Sequence, residues 1–221
     1  MYHIKNDKRA RASTELICAG LLACMKEKPF ARITITDVQR ASTVSRSTFY
    51  RNFDCLEDVL ALLCDRGFQA VFTEYNALPP EQRGSLAKAV FQYWFRNSAV
   101  LEALVQIHRT DILFDSLRRS SGLIQALRPM VDDPARFDYF VAIITSSMIG
   151  VLTVWVEHGK AETEDQMVQK LTSAFIEMAA HLVEMKSYLL LPRSEEGERM
   201  KQEFTGQLIE YDQCRRMAAL L

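Results

Sequence analysis

Seven apolar residues, Val168, Leu171, Phe175, Met178, Leu182, Met185 and Leu189, follow one another at alternating spacings of three and four. Only an α-helix brings that spacing onto one face, so this segment reads as a single helix with a seam of coiled-coil type. Such a seam must be covered. The helix predicted before it, at 134–158, carries Phe140, Ile144, Met148, Val151 and Trp155 on one side. On another side Ala142, Ser146 and Gly150 step by four, small enough to let a second helix approach closely. Two covers are open: the rest of this chain's own core, or the same two helices of a second copy across a two-fold axis.

The three-and-four recurrence runs through the whole sequence, and no Val/Ile alternation is long enough to claim a sheet. The expected fold class is all-α. Helices are predicted at about 8–27, from a Thr34 cap to 41, from a Ser45 cap to 53, and at 55–77, 82–96, 98–108, 110–127, 134–158 and 162–190. A further helix is predicted at 195–219, with Met200, Phe204, Leu208 and Tyr211 as an apolar stripe that packs back on the body. The hydrophobic share, 48% of 221 residues, is enough for a sizeable core.

Charge is unevenly spread. The net charge is −1, but residues 1–53 hold ten Lys/Arg against four Asp/Glu, a net of +6, which leaves −7 for the remainder. A basic N-terminal quarter on a near-neutral chain suggests a footprint for a polyanion.

Within that quarter, residues 34–53 have a definite local grammar. Thr34 is a good N-cap with Asp37 three residues on, and Ile33 and Val38 are placed for a hydrophobic staple across it. Ser45 is placed to cap a second helix. That helix must be short, because Asp54 reads as the next cap, with Glu57 at the capping-box position. Helix, tight turn and short helix make a helix-turn-helix, whose second helix enters the DNA major groove. Phe49 and Phe53, four apart, can face inward, which leaves Arg46, Ser47, Thr48, Tyr50 and Arg51 outside. Arginine pairs with guanine, hydroxyls contact bases or phosphates, and a tyrosine hydroxyl can hold a phosphate. The competing reading is a solvated connector; the basic excess and the adjacent caps count against it.

The run "ITITDVQRASTVSRSTFYRNFDCLEDVL" resembles the N-terminal DNA-binding domain of TetR/AcrR-type transcriptional regulators, over about residues 8–65. It carries the Thr-rich entry, a T-F-Y-x-x-F recognition helix and an acidic entry to helix four. A weaker likeness lies in "SSMIGVLTVWVEHGKAETEDQM", which resembles the last two helices of that family's ligand-binding and dimerisation domain. The resemblance implies a DNA-binding domain at 1–53 and a regulatory and dimerisation domain at 54–221. The tail at 192–221 runs beyond the family's usual end.

Partners implied by the resemblance are a double-stranded DNA operator, a second copy of the chain and a small-molecule ligand that releases a repressor. Thr34 or Thr36 would touch phosphate, Arg46, Ser47 and Thr48 would reach bases, and Tyr50 and Asn52 would hold the backbone, with Ser45 and Arg51 beside them. A dimer interface would use Ala142, Ser146, Gly150, Val168, Leu171, Phe175, Met178 and Leu182. A ligand pocket would be lined by Phe91, Trp94, Phe95, Ile107, His108, Phe114 and Trp155. Two positions depart from the pattern: Thr43 stands where the family has a turn glycine, and Leu56 where it has a phosphate-binding lysine. These departures and the extra tail motivate an alternative, a helical dimer of the same fold acting mainly through a protein partner.

No metal-ligand set, Gly-rich phosphate loop or nucleophile motif is found, and His3, His108, His158 and His181 lie far apart in sequence, so neither an enzyme nor a cofactor is expected. Tyr139–Val156 holds 18 residues without charge but contains Thr145, Ser146, Ser147, Gly150 and Thr153; it reads as a helix buried in protein, not in lipid. The cysteines, Cys18, Cys24, Cys55, Cys64 and Cys214, form no C-x-x-C, which suggests a reduced, cytoplasmic chain.

Overall fold

The computed structural model describes residues 2–5, 7–131 and 133–190; the predicted helix at 195–219 lies outside them. All regular structure among the described residues is helical. The helices are α1 (Lys8–Glu27), α2 (Ile35–Ser42), α3 (Arg46–Asn52), α4 (Leu56–Ala77), α5 (Leu86–Arg96), α6 (Ser98–Gln106), α7 (Thr110–Arg119), α8 (Ser121–Leu127), α9 (Pro134–Glu157) and α10 (Glu164–Leu190).

The first three helices wrap a small core of their own. Asp7 starts α1 by accepting the Ala10 N–H at 2.7 Å. Ile17, Cys18, Leu21 and Cys24 then bury one stripe of that helix. α2 crosses α1 closely at Gly20, where an added Cβ would lie 2.8 Å from Ser42 Cβ and 3.1 Å from the Val38 carbonyl. α3 is anchored by Phe49 and Phe53, both buried, with ring centroids 5.8 Å apart. Phe30, Ile33, Val38, Val44 and Leu56 close this core.

α4 begins in that core and continues into the larger helical body. Its buried row, Val59, Leu60, Cys64, Phe68, Val71, Phe72 and Tyr75, meets α1 early and α5, α7 and α8 later. The cap of α4 differs from the expected Asp54/Glu57 pair. Cys55 takes the cap position, and Asp58, at the third helical residue, accepts the Asp54 N–H at 2.9 Å. Asp58 is buried, so its carboxylate is held against the turn, whereas Asp54 is exposed.

The single helix predicted at 110–127 is two. Ser120 is extended, at φ −65° and ψ 115°, and ends α7. α8 then turns back onto α4, where Gly122 permits the contact: a Cβ there would lie 2.3 Å from Phe72 Cβ. α9 is long and apolar enough to cross a membrane. Phe137, Val141, Ile144, Met148, Leu152 and Trp155 bury its inner side, which packs on α6 and α7, while α10 covers α5 and part of α9.

Candidate nucleic-acid interface

The exposed end of the three-helix head is built from two caps and one strained turn. Thr34 and Asp37 cap α2 reciprocally: the Asp37 N–H donates to Thr34 Oγ1 at 3.2 Å, and the Thr34 N–H donates to Asp37 Oδ2 at 2.8 Å. Lys28, which pattern reading left out, lies 2.7 Å from the same carboxylate. Its charged hydrogen bond, with those from Thr34, holds the Asp37 carboxyl far below the usual range.

α2 ends at Thr43, which adopts the left-handed conformation with φ +59°. The turn therefore keeps the backbone shape that glycine serves in the family and tolerates a β-branched residue in it. Ser42 supports the next step of the turn, its Oγ accepting the Val44 N–H at 3.3 Å. Ser45 caps α3, accepting the Thr48 N–H at 3.3 Å, and its hydroxyl also lies 3.1 Å from Ser47 Oγ and 2.9 Å from Thr48 Oγ1.

The structure leaves most of the expected contact residues exposed. Ser45, Arg46, Ser47, Tyr50 and Arg51 are exposed on α3, and Thr34 and Thr36 are exposed at the start of α2. Thr48 is half-buried. Arg46 and Tyr50 hold one another: the guanidinium lies 5.5 Å from the ring centroid and donates to the phenol oxygen at 3.4 Å. The Tyr50 ring in turn meets Phe49 edge-on at 5.6 Å.

Asn52 is not part of this set. It is 2% exposed, its amide nitrogen donates to the Thr48 carbonyl at 2.8 Å, and its own carbonyl accepts the His3 N–H at 3.0 Å. Leu56 is buried in the head core and presents no polar group where the family lysine would stand.

The residues expected to line a ligand pocket are mostly packing. Phe91 and Trp94 are buried, and Phe95 stacks on Trp155 at 4.0 Å with 18° between the ring planes. Trp155 Nε1 donates to the Glu162 carbonyl at 3.1 Å. Ile107 and Phe114 are half-buried. His108 is exposed, in the turn between α6 and α7, with φ +56°. A cleft of about 510 Å³ opens elsewhere, between α4, α7 and α8, with Asp65, Gln69, Thr73, Asn76, Ser116 and Arg119 in its walls.

On the outer side of α9, Ser146 and Gly150 are exposed and Ala142 half-buried, and a Cβ at Gly150 would meet nothing within 4 Å. Pattern reading missed the large members of this stripe: Tyr139, Ile143 and Val154 are 75%, 52% and 47% exposed. The 139, 143, 146, 150, 154 recurrence carried the signal. On α10, Met178 and Ile176 are exposed, Val168 and Phe175 are half-buried, and Leu171 is buried by the chain's own core. The Leu182 side chain lies outside the described residues.

A helix-turn-helix head carried on an all-helical body is the architecture of a class of DNA-binding regulators. No protein-family model and no curated relative matches this sequence. Solved structures share its fold, two of them regulators. One is a TetR transcriptional regulator from Streptococcus agalactiae 2603V, at 20% identity and a TM-score of 0.52, covering 75% of this chain and 94% of that one. The other is described as a TetR-family transcriptional regulator from Syntrophomonas wolfei str. Goettingen, at 19% identity and a TM-score of 0.56, covering 77% and 96%. The chain has the TetR-type regulator fold.

Proposed function

We propose that this chain is a sequence-specific DNA-binding transcriptional regulator, a cytoplasmic homodimer that represses until a small molecule releases it. Residues 1–53 form the DNA-binding domain and 54–221 the regulatory and dimerisation domain. The observation that carries this reading is α3, a short helix pinned by Phe49 and Phe53 whose outer side offers Ser45, Arg46, Ser47, Tyr50 and Arg51 to solvent. A helix so anchored can enter a major groove without losing its own packing, and its side chains have the chemistry of base and phosphate contacts.

The exposed α9 stripe supports the dimer. Tyr139, Ile143 and Val154 leave apolar surface open around Gly150, and a second copy would cover it and set two α3 helices against two half-sites. Release would follow from a ligand that favours a domain arrangement with the wrong half-site spacing.

A salt-series gel shift with DNA flanking its own gene tests the reading. Specific binding that falls with salt, and that Tyr50→Ala or Arg46→Ala weakens, supports it. A chain that binds no specific DNA at low salt, in a genome-wide selection of fragments as well as in the flanking DNA, sinks it.

A further inference from the structure

The segment before α1 ties the head to the body. Residues 2–5 run alongside the head, with Tyr2 and Ile4 half-buried against its core. The His3 N–H donates to the carbonyl of Asn52, the last residue of α3, at 3.0 Å. Carbonyls in the last turn of a helix have no partner within it, so the arm satisfies one that α3 cannot. The neighbouring Tyr2 sends its phenol to Oδ2 of Asp65 on α4, at 2.5 Å. Burial, with the Asp65 bond beside it, pushes that phenol up to about 12, so it is a proton donor across the neutral range.

Asp65 is held from the other side as well. Ser116 of α7 donates its hydroxyl to Oδ1, and the Arg119 guanidinium lies 3.9 Å from the same oxygen. One carboxylate therefore joins the arm, α4 and α7. It also stands in the wall of the 510 Å³ cleft, together with Ser116, Arg119 and Asn76, whose Oδ1 is buried without a partner. The junction lies in the wall of an open cleft, not in sealed core.

We propose that Tyr2 and Asp65 are positioning residues for the recognition helix: the arm carries the placement of α7 to the end of α3 through the chain Ser116, Asp65, Tyr2, His3 and Asn52. None of the five reaches DNA for this purpose; they set the angle at which Arg46 and Tyr50 are presented. The proposal rests on the reading of α3 as the DNA-reading element, and its test must separate the two.

The experiment uses duplexes that the wild-type chain selects from a random pool. Dissociation constants for a selected and a scrambled duplex, and the melting temperature, are measured for Tyr2→Phe, Asp65→Ala, Asp65→Asn and the pair Tyr2→Phe with Asp65→Ala. Tyr2→Phe is expected to weaken selected-duplex binding by about five- to tenfold, the lower end of the coupling found between distant sites. Scrambled-duplex binding should stay put, and the melting temperature should fall by no more than the few degrees that one hydrogen bond accounts for. Asp65→Asn, which still accepts a hydrogen bond, should recover most of what Asp65→Ala loses, and the pair should lose less than the product of its members. An unchanged ratio of selected to scrambled binding in Tyr2→Phe overturns the proposal. If the wild type selects no duplex, the DNA reading has failed, and the coupling is judged on the free protein. Amide shifts at Asn52 and Phe53 that move in Ser116→Ala support it, and shifts that do not move overturn it.

Discussion

The Arg46 guanidinium lies over the Tyr50 ring, 5.5 Å from its centroid, one helical turn apart on the exposed side of α3. In the proposed DNA complex the pair would act as one recognition surface, because the ring limits where the guanidinium can go. Arg46→Ala is expected to cost about 1–3 kcal/mol of discrimination between operator and mismatched duplexes, the range of one bidentate base contact. Tyr50→Phe keeps the ring and should cost less than Tyr50→Ala. Fluorescence anisotropy on matched and mismatched duplexes measures both, and equal losses for Phe and Ala would refute the role of the ring.

Thr43 sits at φ +59° because the turn needs a left-handed residue there. Thr43→Gly is expected to stabilise the fold by about 1 kcal/mol, since relief of the strain outweighs glycine's extra freedom when unfolded. For a chain of this size that is a rise of about 2–4 °C in melting temperature by calorimetry.

Gly20→Ala should do the reverse. A Cβ 2.8 Å from Ser42 Cβ and 3.1 Å from the Val38 carbonyl forces α1 and α2 apart. A loss of about 1–3 kcal/mol is expected, the usual cost of overpacking. Urea titration would read it, and an unchanged midpoint would show that the helices can part freely.

Asp37 ionises more readily in the folded chain than in the unfolded one, because Lys28 and Thr34 bind its charged form. The stability this gives is present at pH values above the ordinary aspartate value of about 3.9 and fades as pH falls below it. Asp37→Asn should therefore lose stability at pH 7 while showing a shallower further loss between pH 5 and pH 3. Melting curves across that range give the slope, and parallel slopes for the two proteins would rule the linkage out.

Ile143→Glu, on the exposed stripe of α9, should leave the fold intact and give a monomer by sedimentation, with operator affinity reduced as paired half-site binding is lost. A dimer of unchanged stability would place the interface elsewhere.

The head was largely legible in the sequence because its signals are local. Thr34 with Asp37, Ser45 before α3, and Phe49 four residues from Phe53 are all decided within one or two helical turns. The burial of Asn52 is not legible in the sequence, because it depends on the close of α3 and on the arm, which lies 49 residues earlier in the chain. The cap of α4 slipped by one residue because Glu57 and Asp58 offer carboxylates at neighbouring registers, and burial chose Asp58. In the body, the aromatics expected to line a pocket were visible, but an aromatic at helical spacing reads alike whether it walls a cavity or fills a core. The partners that decide it, such as Phe95 against Trp155, come from helices far apart in sequence.

That stack gives the chain an optical handle. Its two tryptophans, Trp94 and Trp155, both sit in the helical body, one edge-on to Phe68 at 5.3 Å and the other stacked on Phe95. The head has none. Tryptophan emission therefore reports from the body alone, and a change of colour or quenching on adding DNA would be a message that had travelled there from the other end of the molecule.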